Sequence, residues 1–251
     1  MQGEGDVAAA RDDFFARKPS NLAFLLDQRY GWMNPYVQGL ETVVEVGSGP
    51  GFAREFIRNP HLLMTDVQAR PWIDREVDAL APPFGDGSVD AVISCHMIHH
   101  LAQPQAFFAA TRRILRPGGY LIISEINTSL LMRILLRAMR HEGWSYEIDV
   151  FEPSIPANDP SDPWSANCAI PMLLFGDERR FCANVPGFSI LRNELHEGFI
   201  FPLSGGVVSK TATVNLPRAA LRAVALLDRL LIATLPSVFA LGRRVVLQKT
   251  T

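Results

Sequence analysis

Thr42-Val43-Val44-Glu45-Val46-Gly47-Ser48-Gly49-Pro50-Gly51-Phe52 is a short apolar run that ends in a glycine-rich turn. A short β-branched run meets glycines at every second position and then Ala53-Arg54-Glu55-Phe56-Ile57-Arg58, the pattern of a buried parallel strand that turns into a helix. Glycines there allow positive φ and let backbone N–H groups approach a ligand, and the following helix presents its N-terminus at the same place. The stretch reads as a cofactor cradle at the carboxyl end of a central strand. A dinucleotide fingerprint would need its third glycine at Phe52, whose side chain would crowd the helix–strand contact.

Outward from this loop, residues 61–66 read as the second strand, ending on Asp66. An acid about 20 residues beyond the first glycine is placed to grip a ribose hydroxyl pair, or else to cap a helix. Residues 90–94 form a continuous apolar strand that empties into Cys95-His96-Met97-Ile98-His99-His100-Leu101, at the strand end that borders a ligand crevice. His96, His99 and His100 share a helical spacing that invites a metal. No carboxylate nearby in the sequence completes a ligand set, so no metal is expected. Residues 105–116 read as an amphipathic helix stopped by Pro117-Gly118-Gly119, with the fifth strand at 120–125.

The blocks Glu45-Val46-Gly47-Ser48-Gly49-Pro50-Gly51, Asp78-Ala79-Leu80-Ala81-Pro82-Pro83-Phe84-Gly85-Asp86-Gly87-Ser88-Val89-Asp90 and Arg113-Ile114-Leu115-Arg116-Pro117-Gly118-Gly119-Tyr120-Leu121-Ile122-Ile123 occur in order and together resemble the class I S-adenosylmethionine-dependent methyltransferases. The resemblance covers residues 42–126. It implies an α/β fold: a Rossmann-like seven-stranded sheet flanked by helices, its last strand, at 244–249, antiparallel and the sixth at 189–196. It implies S-adenosyl-L-methionine as cofactor, with contacts from Glu45, Gly47, Ser48, Gly49, Gly51, Asp66, Val67, Asp78, Ala79, Ser94 and Cys95. Asp66 would take the ribose, Asp78 and Ala79 the adenine, and His100 would orient its loop. Ala81 and Pro82 depart from the family pattern. The short 66–78 segment implies that the helix usual between those strands shrinks to a turn around Arg70-Pro71-Trp72, where Trp72 either stacks on adenine or packs under the loop.

Residues 6–18 and 21–30 read as amphipathic helices, the second capped by Ser20 or Asn21. Phe14, Phe15, Phe24, Trp32 and Tyr36 either cover a substrate cleft as a lid or belong to the core. Residues 128–140 read as a helix, followed by His141-Glu142-Gly143-Trp144 and a long irregular passage to Trp164, a length that signals function or disorder. His141 is the leading general-base candidate, with Glu142 orienting or replacing it and His96 and His99 as further acid–base groups; the alternative for His141 is a solvated helix end. Residues 167–181 read as helical again. The helix-rich 216–241 stretch carries too many charges to span a membrane, leaving an interfacial helix over 217–242 or one packed on the sheet or on a second subunit.

The 251-residue chain suits a single domain, divided into an N-terminal helical lid at 1–38, a cofactor-binding core at 39–127 and acceptor-shaping insertions with the last two strands at 128–251. A net charge of −2 offers no nucleic-acid signature. Cys95, Cys168 and Cys182 lack disulfide or zinc-knuckle spacing, and the first residues lack a secretory signal, so a cytoplasmic location is expected. The expected function is methyl transfer to a bulky, partly apolar small-molecule or lipid-like acceptor, with oxygen favoured over nitrogen or carbon. A non-catalytic cofactor-binding protein and a nicotinamide-dependent oxidoreductase are the rivals, and the oligomeric state stays open.

Overall fold

Val43–Val46, buried along its whole length, forms β1. A strand covered on both faces has no polar side to show, which is why its residues do not alternate. In the computed structural model, which describes residues 6–139, 142–208 and 211–250, β1 pairs in parallel with β2 (Leu62–Asp66) on one side and β4 (Val89–Cys95) on the other. With β3 (Arg75–Glu76), β5 (Leu115–Ile126), β6 (Phe188–His196) and β7 (Gly242–Lys249), the sheet runs in the order β3-β2-β1-β4-β5-β7-β6. β7 is antiparallel to both β5 and β6, as expected. Strand order reverses between β1 and β4, so a crevice opens outside their carboxyl ends.

Two helical layers cover the sheet. On one face Phe107, Phe108, Phe175 and Phe181 pack as a buried aromatic group from the helices at Pro104–Ile114, Ile170–Phe175 and Glu178–Asn184. On the other, Phe14, Leu22, Leu25 and Leu26 from Val7–Arg17 and Ser20–Tyr30 join Leu221 and Ala225 from Arg218–Thr234. Phe14 is thus core, and Phe15, Phe24, Trp32 and Tyr36 pack half-buried against the same cluster.

Several boundaries differ from expectation. The helix after the glycine loop is a single turn, Ala53–Phe56, so backbone N–H groups rather than a long helix dipole shape the cradle. Neither Ser20 nor Asn21 caps the second helix, which begins at Ser20. Asn21 is instead buried, donating to Leu203 O and Val214 O and accepting from Leu216 N, which ties the N-terminal helix to a distant segment. The helix expected to reach 116 ends at Ile114, and the pairing of β5 with β4 jumps from Leu115 to Tyr120, leaving Arg116–Gly119 as a bulge. The helix expected over 167–181 is broken at Gly176, and the second piece starts with Asp177 as N-cap, accepting from Arg179 N and Arg180 N. Between β2 and β3 no helix forms, as the short spacing implied.

Glu45, on β1, is fully buried and neither carboxylate oxygen makes a hydrogen bond. Burial raises its pKa to about 7, only partly offset by the neighbouring Ser48 and Tyr30 hydroxyls. As pH rises from 4.5 towards 7 the unfolded chain releases this proton while the folded chain keeps it, so folding stability falls, by about 3 kcal/mol once both forms are ionised. Glu45→Gln removes the term. By urea unfolding it should gain stability over the parent at about pH 8 and lose most of that advantage at about pH 5; the same difference at both values would show that Glu45 is ionised in the folded chain.

Candidate functional site

The crevice has two ends, each built around one carboxylate. At the first, Gly47, Gly49 and Gly51 all adopt positive φ, at 68°, 48° and 70°. A Cβ on Gly47 would lie 2.3 Å from Met97 Cγ and one on Gly51 2.7 Å from Trp72 Cδ1, so the loop admits no side chain at either position. Asp66, at the end of β2, accepts from Gly49 N at 2.8 Å with Oδ2 and from Gln68 N at 2.9 Å with Oδ1. Each oxygen keeps a further lone pair, and Asp66 lines the cleft. Trp72 donates from Nε1 to Gly49 O at 2.8 Å and does not line the cleft, which is the packing alternative for that residue. Arg11 closes the loop from outside, donating to Pro50 O at 2.6 Å while stacking on Trp72.

At the second end, β4 finishes in a left-handed His96, φ 53°, whose N–H donates to Ser124 O at 2.8 Å. The next turn hangs on Glu125, fully buried at the end of β5. Its Oε1 accepts from Met97 N at 2.7 Å and Ile98 N at 2.6 Å; its Oε2 accepts from His99 Nδ1 at 2.7 Å and Ile126 N at 3.1 Å. Burial alone would raise Glu125, but His99 and the backbone donors hold it below the usual carboxylate value. Burial likewise disfavours an imidazolium at His99, yet Glu125 and Glu142 outweigh it and raise His99. His99 Nε2 faces Glu142 Oε2 at 3.7 Å, and Glu142 also accepts from the buried Cys168 Sγ at 3.1 Å.

The long irregular passage is stapled to this turn. Asn167 N donates to His99 O at 2.9 Å, Asn158 Nδ2 to His99 O at 2.8 Å and to Leu101 O at 3.0 Å, and a parallel bridge joins Gly143 to Asn167. A connection that looks unstructured in sequence is therefore held at its middle and its end, and it carries Glu142 to His99.

The cleft, about 290 Å³, near the lower limit of small-molecule sites, brings together Gly47, Ser48, Gly49, Asp66, Val67, Cys95, His96, His99 and Glu142 of the expected residues. Glu45 and Ser94 are fully buried behind it, and Gly51 does not line it. Asp78 is exposed, accepting from Leu80 N at 2.8 Å in its own turn, and Ala79 packs on the core; neither lines the cleft. His141 lies outside the described residues. His96 lines the cleft, and burial, with Arg29 nearby, pushes its pKa well down, so it is a neutral imidazole. Cys95 is pushed up to about 12 by burial, which makes it a thiol. His100 donates from Nδ1 to Ser165 O at 3.2 Å, which fixes its ring against the end of the irregular passage.

One premise needs correction. The sequence offers no carboxylate close to His99 and His100, whereas the fold brings Glu125 and Glu142 to them. Sequence reasoning also missed Glu125 itself. The only signal for it was its place at the carboxyl end of the strand beside β4, where side chains face the crevice. Arg29, which lines the same cleft, and Glu197 form a buried bidentate pair at 2.8 and 2.6 Å that carried no sequence signal at all.

Residues 44–123 match the family described as "Methyltransferase domain". An uncharacterized methyltransferase of Mycolicibacterium gilvum is 32% identical over 100 residues, 33% of this chain and 38% of that protein. A probable S-adenosylmethionine-dependent methyltransferase of Mycolicibacterium smegmatis is 32% identical over 97 residues, 34% of this chain and 38% of that one. The chain thus spans under two fifths of the length of these curated relatives. The crystal structure of a SAM-dependent methyltransferase from Archaeoglobus fulgidus has the same fold, with TM-score 0.56 over 94% of this chain and 98% of that chain at 17% identity.

Glu125→Ala strands four donors, one of them the His99 ring. Breaking a buried pair of this kind costs about 3–5 kcal/mol, and that loss is expected in chemical denaturation of the variant. A loss below about 1 kcal/mol would show that the turn after β4 does not hang on this carboxylate.

Proposed function

We propose that the chain is a class I S-adenosylmethionine-dependent methyltransferase, a reading supported by the match of residues 44–123 to a methyltransferase domain, and that it methylates a bulky, partly apolar small molecule at oxygen. The observation that carries this reading is the pairing, in one cleft, of a pinned Asp66 at the glycine loop with the Glu125–His99 dyad at the other end. The first end fits the cofactor. Its backbone is bare because a Cβ at Gly47 would collide with Met97, and both Asp66 oxygens keep acceptor capacity for a ribose hydroxyl pair. Val67, 52% exposed beside Asp66 on the cleft wall, is better placed for the adenine than Asp78 or Ala79. When bound, the cofactor supplies an electrophilic methyl on a sulfonium.

The chain's own residues align the acceptor, exclude water and accept a proton. Met132, Leu136, Met139, Trp164 and Phe201 line the cleft, a set that favours an apolar acceptor body. His99 donates Nδ1–H to Glu125, which fixes the tautomer and leaves Nε2 to accept the acceptor's hydroxyl proton. Glu125 and Glu142 then flank the imidazolium that forms. A nitrogen acceptor would not need this dyad, which is why oxygen is favoured.

Asp66→Ala, still folded, should bind S-adenosylhomocysteine about 10–100-fold more weakly by calorimetry, since it loses charge-assisted hydrogen bonds of roughly 1.5–3 kcal/mol. His99→Ala should keep that affinity and lose methyl transfer into a labelled metabolite extract by about 10²–10⁴-fold. Unchanged binding in the first variant, or a melting temperature raised by NAD and not by S-adenosylhomocysteine, would overturn the reading.

The Arg218–Thr234 helix supports a second element, contact with a membrane surface through 217–242. Its inner face buries Leu221, Ala225 and Asp228, the last accepting from Phe199 N and Ile200 N, while Leu226, Leu227 and Leu230 stand exposed on the outer face. No helix among the described residues is long and apolar enough to cross a membrane. Leu227→Glu with Leu230→Glu should abolish co-sedimentation with anionic liposomes; a parent that does not co-sediment removes this element.

A further inference from the structure

His99, His100 and Glu142 each have a ligating atom within 4.8 Å of the other two. Two of the three are imidazoles with one nitrogen already engaged. His99 Nδ1 is held by Glu125 at 2.7 Å, and His100 Nδ1 meets Ser165 O at 3.2 Å. What each ring has left to offer is Nε2. A carboxylate on the far nitrogen of a ligating histidine fixes its tautomer and raises its basicity, the arrangement by which metal sites orient their imidazoles. Glu142 is steadied in turn by the Cys168 thiol at 3.1 Å.

We propose that His99, His100 and Glu142 form a binding site for a divalent first-row transition ion of the Zn²⁺ class, open on its remaining side to the cleft. Two imidazole nitrogens and one carboxylate oxygen suit such an ion, and three protein ligands leave a position for water or substrate oxygen. His99 Nε2 and Glu142 Oε2, 3.7 Å apart, already stand near the roughly 3.4 Å edge of a tetrahedron with bonds of about 2.1 Å. His99, His100 and Glu142 all line the cleft, so an ion has an entry path from solvent. An ion and a proton on His99 Nε2 exclude each other, so occupancy decides which of the two meets an acceptor. The inference does not rest on methyl transfer, because binding is read without cofactor or acceptor.

The full-length chain, stripped with a chelator, would be titrated with Co²⁺ and followed by its visible absorption, and with Zn²⁺ against a chromophoric chelator. About one equivalent should bind, with a dissociation constant of roughly 1 μM or below and with the intense visible bands of a low-coordinate Co²⁺ site. His100→Ala and Glu142→Gln, checked for folding by circular dichroism, should each weaken binding at least 10-fold. His61→Ala, at an exposed position far along the chain, is the control and should change nothing. A parent that binds no stoichiometric ion, or one whose binding survives both His100→Ala and Glu142→Gln, overturns the site.

Discussion

Four donors converge on the carboxylate of Glu125, and one end of the cleft is arranged by that convergence. A buried anion is tolerated only when its lone pairs are filled. Here they are filled by the backbone of the turn after β4 and by the ring of His99, so the same contacts that make the charge bearable fix the turn and the imidazole. The turn then holds the next layer: the carbonyls of His99 and Leu101 receive Asn158 and Asn167, and these bring the passage containing Glu142 to the cleft. The positions of His99 and Glu142 are therefore a consequence of how one acid is neutralised.

The opposite end of the crevice follows a different logic. There the limiting factor is space. Gly47 and Gly51 have no room for a β-carbon because Met97 and Trp72 close on them, and Asp66 locks the loop through a single N–H of Gly49. Met97 belongs to the turn that Glu125 secures, so the steric wall of one end is set by the electrostatics of the other.

These two logics explain what the sequence discloses. Steric requirements leave a local trace: glycines at alternate positions, a β-branched run before them, an acid at the end of the next strand. From these β1, the glycine cradle and the Asp66 position were legible, whereas the antiparallel last strand and the missing helix between β2 and β3 followed from the family resemblance. Boundaries set by tertiary packing were not. The four-residue helix after the loop, the break at Gly176 and the role of Asn21 as a tie to Leu203 and Val214 depend on partners remote in the chain. Glu125 looks like any acid at a strand end, and Glu142 meets His99 only because Asn167 and Asn158 fold the intervening passage back. The choice of Asp78 and Ala79 as cleft residues came from resemblance, and in the structure the cleft does not reach them.

β7 lies inside the sheet, between β5 and β6, although it is the last strand in the sequence. β5 ends at Ile126 and its partner begins only at Gly242, so during synthesis the outer edge of β5, with Leu121, Ile122 and Ile123, waits unpaired while the ribosome completes the intervening segment. Such long-range pairing slows folding and leaves a strand edge open to other chains. Until β7 enters, β6 has no partner in the sheet and β5 has only β4, so both strands wait on one late insertion.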